Sequence, residues 1–166
     1  MKIYLIGMPG SGKSTLGKQL ALSLRIPFVD LDEEIERRER EKVPDIFKSR
    51  GEDVFRQIES ELLFSLSKSS EDFVLATGGG APCFHDGMTI INKTGVSIFL
   101  DVPVNALVNR LKSDKNRPLL QEGELEQRLA TLLAQRLPVY SQAYLTVSGD
   151  AIAADHILEL LKEIRN

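Results

Sequence analysis

The sequence predicts an α/β fold in three layers, with helices covering both faces of a five-stranded parallel sheet. Five short runs are apolar throughout and rich in β-branched or aromatic residues, namely 2–7, 28–30, 73–77, 96–101 and 144–147. Strands without a polar face are typical of sheets that are covered on both sides. Helical patterns at 13–24, 52–68, 103–111, 124–137 and 151–164 alternate with these runs, and this alternation favours parallel strands. We find no repeat and no linker, so a single domain is expected.

The first strand leads into "GMPGSGKST", residues 7–15. Gly7-x-x-x-x-Gly12-Lys13-Ser14 is the pattern of a phosphate-binding loop. Glycines allow successive N–H groups to turn inward on an anion, and the helix that follows adds the positive end of its dipole. Lys13 can reach terminal phosphates and the Ser14 hydroxyl can bind Mg²⁺. The position between an apolar strand and a helix predicts a nucleotide site, although the loop alone does not identify the reaction.

The second strand ends in "VDLD", with Asp30 and Asp32. Ligands of parallel sheets bind at the carboxyl ends of the strands. Strand residues two apart face the same way, so both carboxylates are expected to point at the site, one toward Mg²⁺ and one toward an acceptor hydroxyl. The alternative is that Asp32 only caps the next helix.

Two further segments offer candidate ligand contacts. In "GEDVFRQIES" Arg56 lies nearly opposite a predicted apolar stripe of Val54, Ile58, Leu62 and Leu66, which fits either a ligand contact or a solvated arginine. "TGGG", 77–80, directly follows the third strand. Three glycines there indicate close approach of the backbone to a ligand, or else a flexible turn.

Arg136 continues a stripe formed by Leu125, Leu129 and Leu132, which predicts an inward-facing guanidinium. Such a charge needs an anionic partner, because burying it unpaired is costly. Arginine binds carboxylates with two-pronged geometry. The alternative is a place in the last helical turn, with Pro138 ending the helix.

Two stretches interrupt the alternation of strands and helices. Residues 32–50 are crowded with charge, which predicts a solvated helix with Glu33–Arg37 and Glu36–Arg40 pairs at spacing i, i+4. Residues 112–123 are polar and contain a proline and a glycine. They predict either a plain surface loop or a mobile lid over the site.

Composition excludes several classes of protein. A net charge of −3 gives no basic surface for nucleic acid, so an anionic substrate must be bound by local arginines. One cysteine allows no intrachain disulfide, which fits a reducing compartment. The apolar run that follows Met1 is too short for the core of a signal peptide, and no apolar run approaches the length of a membrane span. We therefore expect a cytoplasmic monomer that acts on a small molecule, without a nucleic-acid or membrane partner.

Taken together, "GMPGSGKST", "VDLD", "GEDVFRQIE", "LATGGG", "RPLL" and "AQRLPVY" resemble shikimate kinases in order and spacing. The resemblance implies a nucleoside-monophosphate-kinase-like P-loop fold with strand order 2-3-1-4-5. It implies a core of 1–31, 61–111 and 124–166, a substrate-binding region at 32–60 and a lid at 112–123. The implied activity is ATP- and Mg²⁺-dependent phosphorylation of the 3-hydroxyl of shikimate, in the pathway to chorismate and the aromatic amino acids.

The same resemblance implies roles for individual residues. The ATP phosphates would be held by Gly10, Ser11, Gly12, Lys13, Ser14 and Thr15, with Arg110 stacking on adenine. Ser14, and Asp30 through water, would hold Mg²⁺. Shikimate would be bound by Asp32, Arg56, Gly78, Gly79, Gly80 and Arg136, with both arginines on its carboxylate. Lys13, Asp32 and Arg117 would be catalytic, Asp32 as candidate base and Arg117 closing with the lid.

One departure from the family concerns the stretch after the last strand. It reads "VSGDAIAAD", without the proline that often ends an adenine loop there, and Asp150 resembles a cap of the last helix. Two other functions remain open. One is a related small-molecule kinase, for example of gluconate, and the other is a non-catalytic nucleotide-binding regulatory domain.

Overall fold

The computed structural model describes residues 1–113 and 122–165. The strands are β1 (Lys2–Ile6), β2 (Phe28–Asp30), β3 (Phe73–Ala76), β4 (Val96–Asp101) and β5 (Leu145–Ser148). The helices are α1 (Lys13–Leu24), α2 (Leu31–Glu39), α3 (Val43–Arg50), α4 (Glu52–Lys68), α5 (Gly87–Thr94), α6 (Val104–Lys112), α7 (Glu122–Tyr140) and α8 (Ala154–Arg165), with a 3₁₀ turn at Ala81–Cys83. All strand pairs are parallel, in the order β2-β3-β1-β4-β5. The predicted fold class is confirmed.

The core consists of two apolar clusters on opposite faces of the sheet. Successive residues of β1 alternate between them, because side chains of a strand point to alternate faces. Ile3 and Leu5 pack with α1 and α8, whereas Tyr4 and Ile6 pack with residues from α2 to α7. The three central strands β1, β3 and β4 are therefore buried from both sides, as their apolar sequences predict. The prediction is wrong for the edge strand β5, which exposes Thr146 and Ser148, and the other edge strand, β2, is only half-buried.

The charged stretch 32–50 differs from the single solvated helix that was predicted. It forms α2 and α3, which are separated near Arg40, a residue with a left-handed φ of 56°. Both helices reach the core, since Ile35 and Ile46 are fully buried. The predicted pairs of Glu33 and Glu36 with arginines are wrong: Glu36 instead accepts from Lys42 at 2.8 Å, and Arg37 contacts Glu34.

Several helix boundaries also differ from the sequence prediction. Helix α5 was not predicted. Helix α7 continues through Pro138 to Tyr140, so the proline does not end it. Helix α8 begins at Ala154, which places Asp150 too early in the chain to cap it.

The carboxyl ends of four strands meet at one edge of the sheet. The phosphate-loop sequence follows β1, Asp30 ends β2, Thr77 and the glycine run follow β3, and α6 follows β4. This is the edge at which open parallel sheets bind ligands. Among the helices of the described residues, none is both long and apolar enough to cross a membrane.

Candidate active site

The loop after β1 has the backbone shape that its glycines predict. Gly10 and Gly12 have φ values of 81° and 93°, a region that residues with a Cβ rarely adopt. The amino end of α1 follows at once, so backbone N–H groups and the helix dipole face the same space. Lys13 Nζ donates to the carbonyls of Gly7 and Met8, each at 2.9 Å. The ammonium is thus held close to the loop, and Lys13 lines a cavity of about 390 Å³.

Asp30 and Ser14 form the second part of this cavity. Ser14 Oγ donates to Asp30 Oδ2 at 2.6 Å. The other oxygen of Asp30 accepts from the backbone N–H groups of Asp32 and Glu33, at 3.1 and 3.4 Å. Asp30 is therefore the N-cap of α2, and the suggestion that Asp32 caps this helix is wrong.

Asp32 faces the cavity for a different reason from the one the sequence suggested. It lies in the first turn of α2 and not on an extended strand, so strand alternation does not orient it. It nevertheless lines the same cavity as Asp30 and Lys13. Burial, and then the negative charge of Asp30, raise the pKa of Asp32, while Lys13 and Arg56 oppose this. A raised pKa makes a carboxylate a better proton acceptor near neutral pH.

The glycine run after β3 brings the charged groups of the cleft together. A Cβ added to Gly78 would lie 2.6 Å from Glu59 Oε2 and 3.2 Å from Asp32 Oδ1. One added to Gly79 would lie 2.7 Å from Arg136 Nη1, and one added to Gly80 would lie 2.6 Å from Arg56 Nη2. Each glycine thus packs directly against charged groups of the cleft, where any side chain would collide with them. Close packing against these side chains, and not a flexible turn, explains the three glycines, and the approach of a ligand stays a prediction.

Arg56 is buried, with 7% of its surface exposed. Its Nη1 donates to Glu59 Oε1 at 2.8 Å, whereas its contacts with Glu52 are longer, at 3.4 and 3.5 Å. The solvated alternative for Arg56 is therefore wrong. The predicted stripe is wrong at its first residue, because Val54 is 40% exposed. Helix α4 packs against α2, α3, α5 and the 3₁₀ turn, so more than one of its faces is covered.

Glu59 is the main residue of the cleft that the sequence prediction missed. It is 2% exposed, and its Oε2 has no hydrogen-bond partner among the described residues. The pKa of Glu59 is raised, because the effect of burial outweighs the opposing effects of the charge and the hydrogen bond of Arg56. An Arg–Glu pair at i, i+3 within "FRQIES" is the signal that could have indicated this residue.

Arg136 lies on α7 in a half-buried position beside Gly79. The last turn of α7 carries no basic residue, so the alternative of a C-terminal dipole contact is wrong. One turn later, Tyr140 Oη donates to the carbonyl of Gly79 at 2.5 Å. Burial raises the pKa of Tyr140 to about 12, although Arg136 lowers it, so the hydroxyl keeps its proton and remains a donor. Tyr140 was not assigned a role from the sequence, although it ends the quoted "AQRLPVY".

A second cavity, of about 440 Å³, also adjoins the phosphate loop. It is lined by Gly10, Ser11, Gly12, Thr15, Leu16, Gln19, Arg110, Ala151 and Ile152. Arg110 Nη1 donates to the Gly10 carbonyl at 3.0 Å, and its Nη2 donates to the carbonyl of Asp150. Arg110 therefore connects the phosphate loop to the stretch after β5.

The predicted lid is only partly described. Of the predicted lid 112–123, Lys112 belongs to α6, and Glu122 and Gly123 belong to α7. Arg117 lies outside the described residues, so its place near the transferred phosphoryl group stays a prediction.

The donors at this site fit Mg²⁺ in the way that nucleotide sites use it. Within residues 1–113 and 122–165 no three His, Cys, Asp or Glu side chains group into an all-protein metal site. Mg²⁺ commonly keeps several waters and binds one or two carboxylates together with substrate phosphates. The Ser14 hydroxyl and Asp30 carboxylate, in contact beside the phosphate loop, suit that arrangement.

Comparison with known proteins agrees with this geometry. A profile of the family described as shikimate kinase matches residues 9–165. The shikimate kinase of Bacteroides fragilis is 43% identical over 156 residues, which are 92% of this chain and 87% of that protein. The solved shikimate kinase of Bacteroides thetaiotaomicron has a TM-score of 0.91 at 38% identity, covering 98% of both chains. That of Acinetobacter baumannii, solved in complex with shikimate, has a TM-score of 0.87 at 39% identity, covering 98% of this chain and 92% of that one. The chain belongs to the shikimate kinase family.

Proposed function

We propose that this protein transfers the γ-phosphoryl group of ATP to the 3-hydroxyl of shikimate, in the pathway to chorismate and the aromatic amino acids. The observation that carries the proposal is the glycine run, which lies between Asp32, Arg56 and Arg136 and next to the phosphate loop. A carboxylated polyol needs cationic donors for its acid group and a carboxylate acceptor for its hydroxyl. These groups converge on Gly78–Gly80.

On the nucleotide side, the residues of the chain would position phosphates and balance their charge. The loop amides of Gly10, Gly12 and Ser14 and the amino end of α1 would bind phosphate oxygens. Lys13 would exchange its bonds to loop carbonyls for bonds to phosphate oxygens. Arg110 would lie beside the base. Phosphoryl transfer depends mainly on such positioning and charge stabilisation.

On the acceptor side, Arg56 and Arg136 would bind the carboxylate of shikimate. Asp32 would accept a hydrogen bond from a ring hydroxyl and take its proton as transfer proceeds. The raised pKa of Asp32 supports this role, because a general base works best when its pKa lies close to the working pH.

The metal and the lid complete the proposal. Mg²⁺, held by Ser14 and by Asp30 through water, would supply positive charge to the phosphates when bound. Arg117 would approach the transferred group from the lid. By analogy with arginines that complete other phosphoryl-transfer sites, its removal would lower kcat by roughly 10³-fold.

A coupled assay of ADP release tests the proposal. Shikimate, gluconate and AMP are compared as acceptors at saturating ATP and Mg²⁺, and the position of the new phosphate on shikimate is read by NMR. We expect ADP release to depend on shikimate and the phosphate to lie on the 3-oxygen. Faster release with gluconate would favour the related sugar-acid kinase, and tight ATP binding without acceptor-dependent release would favour a regulatory domain.

We also propose that the protein acts as a cytoplasmic monomer whose partner is a small molecule. Its single cysteine and net charge of −3 support this setting. Sedimentation at working concentration tests the oligomeric state, with a single species at 18.5 kDa expected.

A further inference from the structure

Three phenylalanine rings surround the guanidinium of Arg56. Its Cζ lies 4.4 Å from the ring centroid of Phe84, 5.2 Å from that of Phe55 and 5.9 Å from that of Phe47. Phe47 and Phe55 also contact each other, with centroids 4.4 Å apart; Phe55 belongs to the core, and the half-buried Phe47 packs against it. Phe84 is the nearest ring and is 38% exposed.

Phe84 begins a hydrogen-bonded turn, residues 84–87, which positions its ring next to Arg56. Phe84 follows the 3₁₀ turn at Ala81–Cys83, and its carbonyl accepts from the N–H of Gly87 at 2.9 Å. The two residues between them, His85 and Asp86, have left-handed φ values of 47° and 59°. Such values are uncommon for residues other than glycine, so this turn is specifically shaped. It connects the glycine run to α5.

We propose that Phe84 is a positioning residue for substrate binding, which covers the guanidinium of Arg56 and holds it in the cleft. A ring over a guanidinium attracts it and excludes water from that side. Among the described residues, the hydrogen bond of Arg56 Nη2 is a long one, at 3.5 Å to Glu52, so this nitrogen can still donate to a carboxylate in the cleft. This inference rests on the proposed binding of the shikimate carboxylate by Arg56.

Steady-state kinetics of three variants of Phe84, with one control variant, test the proposal. Phe84→Ala should raise the KM for shikimate by roughly 3- to 30-fold, the range of a partly to fully desolvated cation–π contact, with kcat and the KM for ATP nearly unchanged. Phe84→Tyr should have the wild-type KM for shikimate, because tyrosine keeps an aromatic ring. Phe84→Leu should behave like Phe84→Ala, because leucine has apolar bulk but no ring to attract the guanidinium. Wild-type KM in Phe84→Ala, or full restoration by leucine, would overturn the proposal.

Phe64→Ala is the matched control. Phe64 is also exposed, at 50%, and also lies over a cation, with Lys68 Nζ 4.9 Å from its centroid. It is on α4 eight residues beyond Arg56, about 12 Å along the helix axis. Loss of this ring should leave the KM for shikimate unchanged. An equal rise in Phe64→Ala and Phe84→Ala would show a general effect of removing a surface ring and would overturn the proposal.

A spectroscopic measurement separates this inference from the proposed function. The Nε–Hε signal of Arg56, assigned by its absence in Arg56→Lys, should shift in Phe84→Ala and return in Phe84→Tyr, without any substrate. An unchanged signal would overturn the inference even if shikimate is phosphorylated. A shifted signal in a protein that releases no ADP with shikimate would refute the proposed function while upholding the contact between Phe84 and Arg56.

Discussion

Gly80→Ala tests whether the glycine run must lie directly against Arg56. The new Cβ would lie 2.5 Å from Cζ and 2.6 Å from Nη2 of Arg56, whereas ordinary contacts of a Cβ begin at 3.4 Å. The guanidinium would therefore move by about 1 Å, and Nη1 would leave its 2.8 Å hydrogen bond to Glu59. Arg56 would remain beside Glu59 as its counter-charge, and a side-chain end and not the backbone must move, so we expect the protein to fold.

Because Arg56 is proposed to bind the shikimate carboxylate, the displaced guanidinium should also lose a hydrogen bond to the substrate, and the affinity for shikimate should fall. A hydrogen bond to a charged group is worth roughly 1.5–3 kcal/mol, which corresponds to a KM for shikimate raised by about 10- to 100-fold. The KM for ATP should stay nearly constant, because Gly80 lines neither cavity beside the phosphate loop. Steady-state kinetics by coupled ADP release measure both values.

Gly123→Ala serves as the control for this substitution. It adds the same methyl group where a Cβ would meet nothing within 4 Å among the described residues, at a glycine without a positive φ. If Gly80→Ala and Gly123→Ala have the same KM for shikimate, the close packing of Gly80 on Arg56 has no role in binding, and the reasoning fails.

Three further substitutions probe the rest of the cleft. Arg136→Ala should raise the KM for shikimate by roughly 10- to 100-fold with the KM for ATP retained; an unchanged KM would remove Arg136 from the carboxylate site. Tyr140→Phe removes the donor to the Gly79 carbonyl and should lower the free energy of unfolding by about 1 kcal/mol, measured by urea titration; equal midpoints would contradict this. Asp32→Asn should raise the melting temperature at pH 7. The raised pKa of Asp32 means that its ionisation destabilises the fold as pH increases through that pKa. The gain should therefore shrink as pH falls toward the ordinary value of 3.8. A gain that is independent of pH would contradict the assignment.

The sheet could be predicted from the sequence because its strands can be identified from short apolar segments. The central strands β1, β3 and β4 are almost entirely apolar, and burial on both faces requires that pattern. Helix α5 has no comparable local signal: it begins at Gly87, ends at Thr94 and has only eight residues. Isolated helices of this length are unstable, so α5 depends on the packing of Met88 and Ile91 in the core.

The site divides in the same way between local and distant determinants. The phosphate loop could be predicted from the sequence because consecutive residues determine its backbone shape. Asp32 was placed correctly in the cavity but for the wrong reason, since α2 begins immediately after Asp30. Glu59 was missed because its importance depends on where α4 meets the glycine run, which single-sequence patterns do not record.

The pairing of Arg56 with Glu59 determines which of the two arginines can be replaced to measure substrate affinity without also changing folding stability. Arg56→Ala would leave Glu59 buried without its cation, and breaking one partner of a buried pair costs roughly 3–5 kcal/mol. Such a variant would lose folding stability together with affinity, so its kinetics could not separate the two. Arg136 is half-buried, and the structure places it against the Gly79 backbone and Tyr140. Its removal should therefore leave the fold intact. Of the two arginines proposed to hold the substrate carboxylate, Arg136 is the one whose loss measures that contact directly.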